Sequence, residues 1–159
     1  MKRWICIALV LISTSAIPHN YVAIDELDSW PTRKEDCLAA TIYFESRGEP
    51  ALGQYLVAEV IMNRVASSKY PDSICEVIKQ PAQFSWFEDT IPNIPKSSPQ
   101  WWKAKEVALK FLSKEPVSTL NLSEGALFYH TIDIKPWWAK KKQKILRLSR
   151  HVFYKDKVW

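Results

Sequence analysis

Between Pro50 and Ser67 the chain reads PALGQYLVAEVIMNRVAS, and no other stretch constrains the fold as tightly. Wound as a helix, Leu56, Val57, Val60, Ile61, Met62 and Val65 reach nearly every side. A surface helix shows a single apolar stripe, so a helix that is apolar all round belongs in the middle of a domain. Its polar exceptions then need partners. Glu59 and Asn63 lie one turn apart on one side, and Arg64 lies on another.

The flanking segments supply material to surround that helix. Asp36 is placed to cap a helix beginning at Cys37, on which Leu38, Ile42 and Glu45 share a face. Gly48 ends it, and Pro50 suits the first turn of the central helix. A short helical run is expected near Ser73 to Ile78, then an irregular segment closing on Gln83-Phe84-Ser85-Trp86. Pro92 and Pro95 mark Phe87 to Ser98 as a surface loop, and Ser98-Pro99 opens a third helix to about Ser113. Beyond Gly125 the periodicity shortens: ALFYHTI and ILRLSRHVFY read as two strands joined by a basic loop holding Trp137 and Trp138. The chain of 159 residues therefore reads as one α+β domain over residues 35–157. It is mostly helical, with a small C-terminal β-hairpin or sheet.

The N-terminus reads differently. MKRWICIALVLISTSA opens on Lys2 and Arg3, continues with an apolar run and ends on small residues, the pattern of a secretory signal over residues 1–16. The alternative, an uncleaved anchor, also exports the domain. Residues 17–34 form a linker. Export to the periplasm, envelope or exterior makes Cys37 and Cys75 a disulfide candidate, the other reading being two free buried thiols.

Charge is uneven. Without Lys2 and Arg3 the net charge falls from +5 to +3, yet Lys135 to Lys157 holds nine Lys or Arg against one Asp. Such a face attracts polyanions, and export favours an envelope polymer over nucleic acid; a solvated lysine face explains the run equally well. His19, His130 and His151 lack any metal-ligand spacing, so neither a metal nor another cofactor is expected.

The segment YFESRGEP carries the candidate chemistry. A carboxyl on an apolar helix face loses water, its pKa rises, and it stays protonated near neutrality. A general acid in glycoside cleavage needs that property. The competing reading makes Glu45 a buried partner of Arg47 or Arg64. Glu49, beyond the break at Gly48, reads as a charge at the start of the next helix, favoured there by the dipole.

The segments ATIYFESRGEP, GQYLVAEVIMNRV, YPDSICEVI, QFSW, GALFYH and RHVFY, in that order, resemble the SleB-type cell wall hydrolase family. The resemblance runs from about Asp36 to Tyr154, with serine after the first glutamate where alanine is common. It implies a lysozyme-like fold and a peptidoglycan lytic transglycosylase, a monomer cutting glycan strands between N-acetylmuramic acid and N-acetylglucosamine, with Glu45 as the catalytic acid. A single carboxyl suffices for that reaction, because the sugar's own 6-hydroxyl attacks the anomeric carbon. The alternatives are a lysozyme-type muramidase, which normally needs a second carboxylate, and a non-catalytic envelope-binding module. No stable membrane insertion is expected after signal removal.

Candidate substrate-binding residues each have a second reading. Gln83 and Ser85 offer hydrogen bonds to sugar groups, while Phe84 and Trp86 stack on sugar faces or belong to the core. One of Tyr129 and His130 faces the cleft, or the histidine is structural. Glu59 and Asn63 line the cleft behind Glu45 or tie the central helix to Arg64. Trp138 and its neighbour Trp137 grip glycan or form a solvated rim.

Overall fold

The computed structural model describes residues 33–87, 94, 97–113 and 121–157. The signal reading, most of the linker and most of the proline-bearing loop fall outside them. Four helices come first: α1 (Lys34–Ser46), α2 (Ala51–Val65), α3 (Ile74–Lys79) and α4 (Pro99–Leu112). Strands β1 (Phe128–Thr131), β2 (Gln143–Leu148) and β3 (His151–Lys155) follow, with a 3-10 turn over Trp137–Lys141 between β1 and β2. The strands form one antiparallel sheet in the order β1-β3-β2.

Helix α2 is apolar on all sides because it has neighbours on all sides. Ala58 and Ile61 join a core with Leu38 and Ile42 of α1, Val77 and Ile78 of α3, and Trp101, Ala104 and Ala108 of α4. Leu56 and Val60 meet Ala126 and Phe153 in a second cluster against the sheet. Helix α2 is therefore a layer between the helices and the strands. Helix α1 is nearly as enclosed: every residue from Asp36 to Tyr43 is buried.

Three expectations change. Helix α1 starts at Lys34, inside the expected linker, and Asp36 does not cap it. Asp36 lies in the first turn, buried, and its carboxylate takes Arg33 on one oxygen and Lys105 of α4, at 3.1 Å, on the other. A buried carboxylate needs such partners more than a helix start needs a cap. The stretch ILRLSRHVFY is two strands, turning at Ser149-Arg150 with Ser149 at φ 49°. Hairpin turns of this length favour Gly, Asn or Asp, and none is present to betray the turn. Glu49, read from the sequence as a charge at the start of the next helix, precedes α2 as a buried side chain with Oε1 3.7 Å from His151 Nδ1.

Cys37 of α1 and Cys75 of α3 are joined by a disulfide that closes 38 positions of chain. Loop-closure entropy makes it worth about 3–4 kcal/mol. Replacing both cysteines by serine is expected to lower unfolding free energy by about that amount. Urea denaturation with and without reductant checks this; equal midpoints would count against it.

Candidate active site

Glu45 occupies the last turn of α1, one residue before the helix ends. The helix-wheel position that makes Leu38 and Ile42 core residues carries Glu45 towards the same side, where it is partly buried. Burial raises its pKa above the ordinary glutamate value, and the negative end of the helix dipole acts in the same direction. Opposing this are the nearby Tyr129 hydroxyl, the hydrogen bond from Trp86 and the positive charge of Arg64.

Trp86 donates its indole Nε1–H to Glu45 Oε1 at 2.8 Å. Its ring stacks on Phe44, centroids 4.7 Å apart and planes 20° from parallel. The irregular segment before it is bent by Ala82 at φ 59°, an uncommon conformation for a residue with a Cβ. Phe84 then drops into the core while Trp86 reaches the acid.

Tyr129 approaches from β1. Its buried hydroxyl lies beside the Glu45 carboxyl and completes no hydrogen bond among the described residues. Burial first, and the Glu45 charge second, push the phenol well above its usual range, so it remains an O–H donor. Arg64 completes the surroundings, with Nε donating to the Leu127 carbonyl at 2.9 Å and the guanidinium over the rings of Tyr70 and Phe84. Arg47 turns away and covers Tyr43 instead.

The remaining sequence candidates divide into three groups. Gln83 and Ser85 are exposed on either side of Phe84, in the segment that delivers Trp86. Glu59 accepts the Ser123 amide at 2.7 Å, and Asn63 Nδ2 donates to Ser123 Oγ and the Ala126 carbonyl. These bonds tie α2 to the segment entering β1, not to Arg64, and so set the position of Tyr129. His130 and Trp138 lie on the opposite face of the sheet, because neighbouring strand residues point to opposite sides. Phe44, the stacking partner of Trp86, escaped the sequence reading; an aromatic beside the candidate acid was its only signal.

Residues 48–154 match the family described as Cell Wall Hydrolase. The chain belongs to that family. The match begins three residues after Glu45. Among curated relatives, the spore cortex-lytic enzyme of Bacillus subtilis is 34% identical over 120 residues, 73% of this chain and 35% of the relative. That of Bacillus cereus is 32% identical over 120 residues, 74% of this chain and 42% of the relative. This cell wall hydrolase thus spans less than half the length of those relatives. The catalytic domain of the germination-specific lytic transglycosylase SleB from Bacillus anthracis is similar in structure, with TM-score 0.60 and 28% identity over 80% of this chain and 98% of that one. The Bacillus cereus SleB catalytic domain gives TM-score 0.59 and 28% identity over 80% and 94%. The shared fold is the lysozyme-like α+β arrangement that the sequence implied.

The Trp86 bond favours the ionised form of Glu45, so its removal raises the pKa further. Activity that needs protonated Glu45 is present at low pH and lost as pH rises through that pKa. Trp86→Phe keeps the stack on Phe44 and removes the donor. It is expected to move the alkaline limb of the pH–rate profile to higher pH and to lower kcat about tenfold. An unmoved limb would show that the indole does not act on Glu45.

Proposed function

We propose that this cell wall hydrolase is a peptidoglycan lytic transglycosylase in which Glu45 is the only catalytic carboxyl. The observation carrying this reading is that, among the described residues, the acids nearest Glu45 in sequence are engaged elsewhere. Glu49 is buried against His151, and Glu59 is bound to the Ser123 amide. A retaining or inverting hydrolase places a second carboxylate about 5–9.5 Å from the acid, free to act on substrate or water. A transglycosylase needs none.

In the proposed reaction protonated Glu45 gives its proton to the oxygen linking N-acetylmuramic acid to N-acetylglucosamine, and that bond breaks. Glu45, now a carboxylate, is held by the Trp86 N–H, and the unpaired Tyr129 hydroxyl beside it is free to turn its hydrogen to the new charge. It then takes the proton of the muramoyl 6-hydroxyl as that oxygen attacks the anomeric carbon, leaving a 1,6-anhydro end. Tyr129 and Trp86 thus favour the charged form produced midway, while burial favours the protonated form at the start. Exposed Gln83 and Ser85, beside Trp86, are within the segment that would border bound sugar. The domain is read as an exported monomer working in the cell envelope. Among the described residues no helix is long and apolar enough to cross a membrane.

The test is mass spectrometry of purified peptidoglycan after incubation with the protein and with Glu45→Gln. Anhydro ends from the wild type alone, with at least about a thousandfold loss in the variant, are expected. Reducing, hydrated ends would assign a muramidase instead. Intact binding without fragments from either protein would assign a wall-binding module.

Glu45→Gln has a second expected effect. A raised carboxyl pKa means that burial costs stability once pH exceeds the ordinary glutamate range, and the cost grows until pH passes the raised value. The variant is therefore expected to be the more thermostable protein at neutral pH, with the gap closing in acid. Parallel melting curves at several pH values check this.

A further inference from the structure

Strand β1 serves both faces of the sheet. Tyr129 points to Glu45, while Phe128 and His130 point the other way, onto a floor built with Trp138 and Tyr154. On that outer face a pocket of about 460 Å³ opens, walled by His130, Trp137 and Tyr154 and rimmed by Lys135 and Lys140. Among the described residues no carboxylate lines it.

The polar groups of the pocket are held in place. His130 Nδ1 lies 2.8 Å from the Thr131 carbonyl, which can only accept, so Nδ1 carries the hydrogen. In the neutral ring Nε2 is then the acceptor, and Tyr154 donates its hydroxyl hydrogen to it at 3.0 Å. The Tyr154 oxygen retains lone pairs for a donor arriving from solvent. His130 and Tyr154 rings also stack, 5.3 Å apart. Trp137 is 75% exposed, with the Lys141 ammonium 4.9 Å from its ring centroid. An indole left so open, beside a fixed hydroxyl, suits the C–H face of a sugar ring.

Charge narrows the choice of ligand. Nine Lys or Arg against one Asp lie between residues 135 and 157. That Asp156 is engaged by Lys69 and Lys142, and Asp133 by Arg150, so among the described residues the pocket's lysines have no carboxylate beside them in the lining. A neutral polysaccharide would leave the two ammonium groups unused, and a bare polyphosphate would leave the aromatic wall unused. We propose that this outer pocket is a second, non-catalytic glycan site, taking N-acetylated sugars whose attached peptides carry free carboxylates. The ligand class rests on the peptidoglycan reading of the Glu45 cleft; the pocket does not. With one site on each side of the sheet, the domain stays attached to a strand at one face while cutting at the other.

Two indoles report the two sites separately. Glu45→Gln protein carrying 15N-labelled tryptophan is titrated with a soluble, uncross-linked muropeptide tetrasaccharide, and the Trp86 and Trp137 N–H signals, assigned with Trp86→Phe and Trp137→Phe, are followed by NMR. Both signals are expected to move. The midpoint at Trp137 should rise about fivefold in Lys135→Ala/Lys140→Ala, and about fivefold for chitotetraose, which has the sugars without the carboxylates. Movement of Trp86 alone overturns the second site and leaves the cleft reading standing. Movement of Trp137 alone supports the second site and sinks the cleft reading. If neither moves, both fall. Equal midpoints for chitotetraose and the muropeptide overturn the carboxylate assignment.

Discussion

The structure depends on burying α2 between two layers. A helix whose apolar side chains face both the other helices and the sheet can be desolvated only if both layers assemble on it. That burial makes its polar residues costly unless each finds a partner. Gln54 turns back to the Glu49 carbonyl, and the other three find theirs in one place: Glu59, Asn63 and Arg64 bind Ser123, Ala126 and Leu127 in turn. The segment entering β1 is consequently fixed at three successive points, and Tyr129 follows two residues later. Core energetics and the position of a site residue are the same set of bonds.

The local environments of the carboxyls separate their roles. Glu45 loses water at a helix end, receives the Trp86 N–H and has the Tyr129 hydroxyl beside it, a balance that keeps the proton available and yet stabilises its loss. Glu49 lies against His151, whose pKa is lowered by burial despite the nearby carboxyl, so the contact is one between a carboxyl and a neutral ring at neutral pH. Asp36 is buried too, but it is matched by Arg33 and Lys105 and fastens α1 to α4. Three acids on or beside one helix thus differ because of what surrounds each of them.

Much of this was readable from residue order. The all-round apolar pattern located α2, the face shared with Leu38 and Ile42 located Glu45, and export made a Cys37–Cys75 bridge expected. What escaped depended on contacts distant in sequence or on turns without their usual residues. Nothing near Asp36 announces Lys105, sixty-nine positions on. The Ser149 turn has no Gly or Asn, so two strands read as one. Glu59 and Asn63 were recognised as needing partners, but Ser123 and Ala126 could be supplied only by the folded chain. For Tyr129 and His130 the sequence allowed either to face the cleft; strand pairing puts Tyr129 on the Glu45 side of the sheet and His130 on the other.

That pairing also limits how β1 can evolve. Its residues alternate between an acid's phenol partner on one side and a ring wall on the other, and β3 pairs with all four of them. Substitutions within the strand alter one face at a time. Inserting or deleting one residue would exchange the faces, turning the imidazole towards Glu45 and the phenol outward. Descendants of this sequence can therefore change one side of β1 without disturbing the other, but its length is held by two surfaces at once.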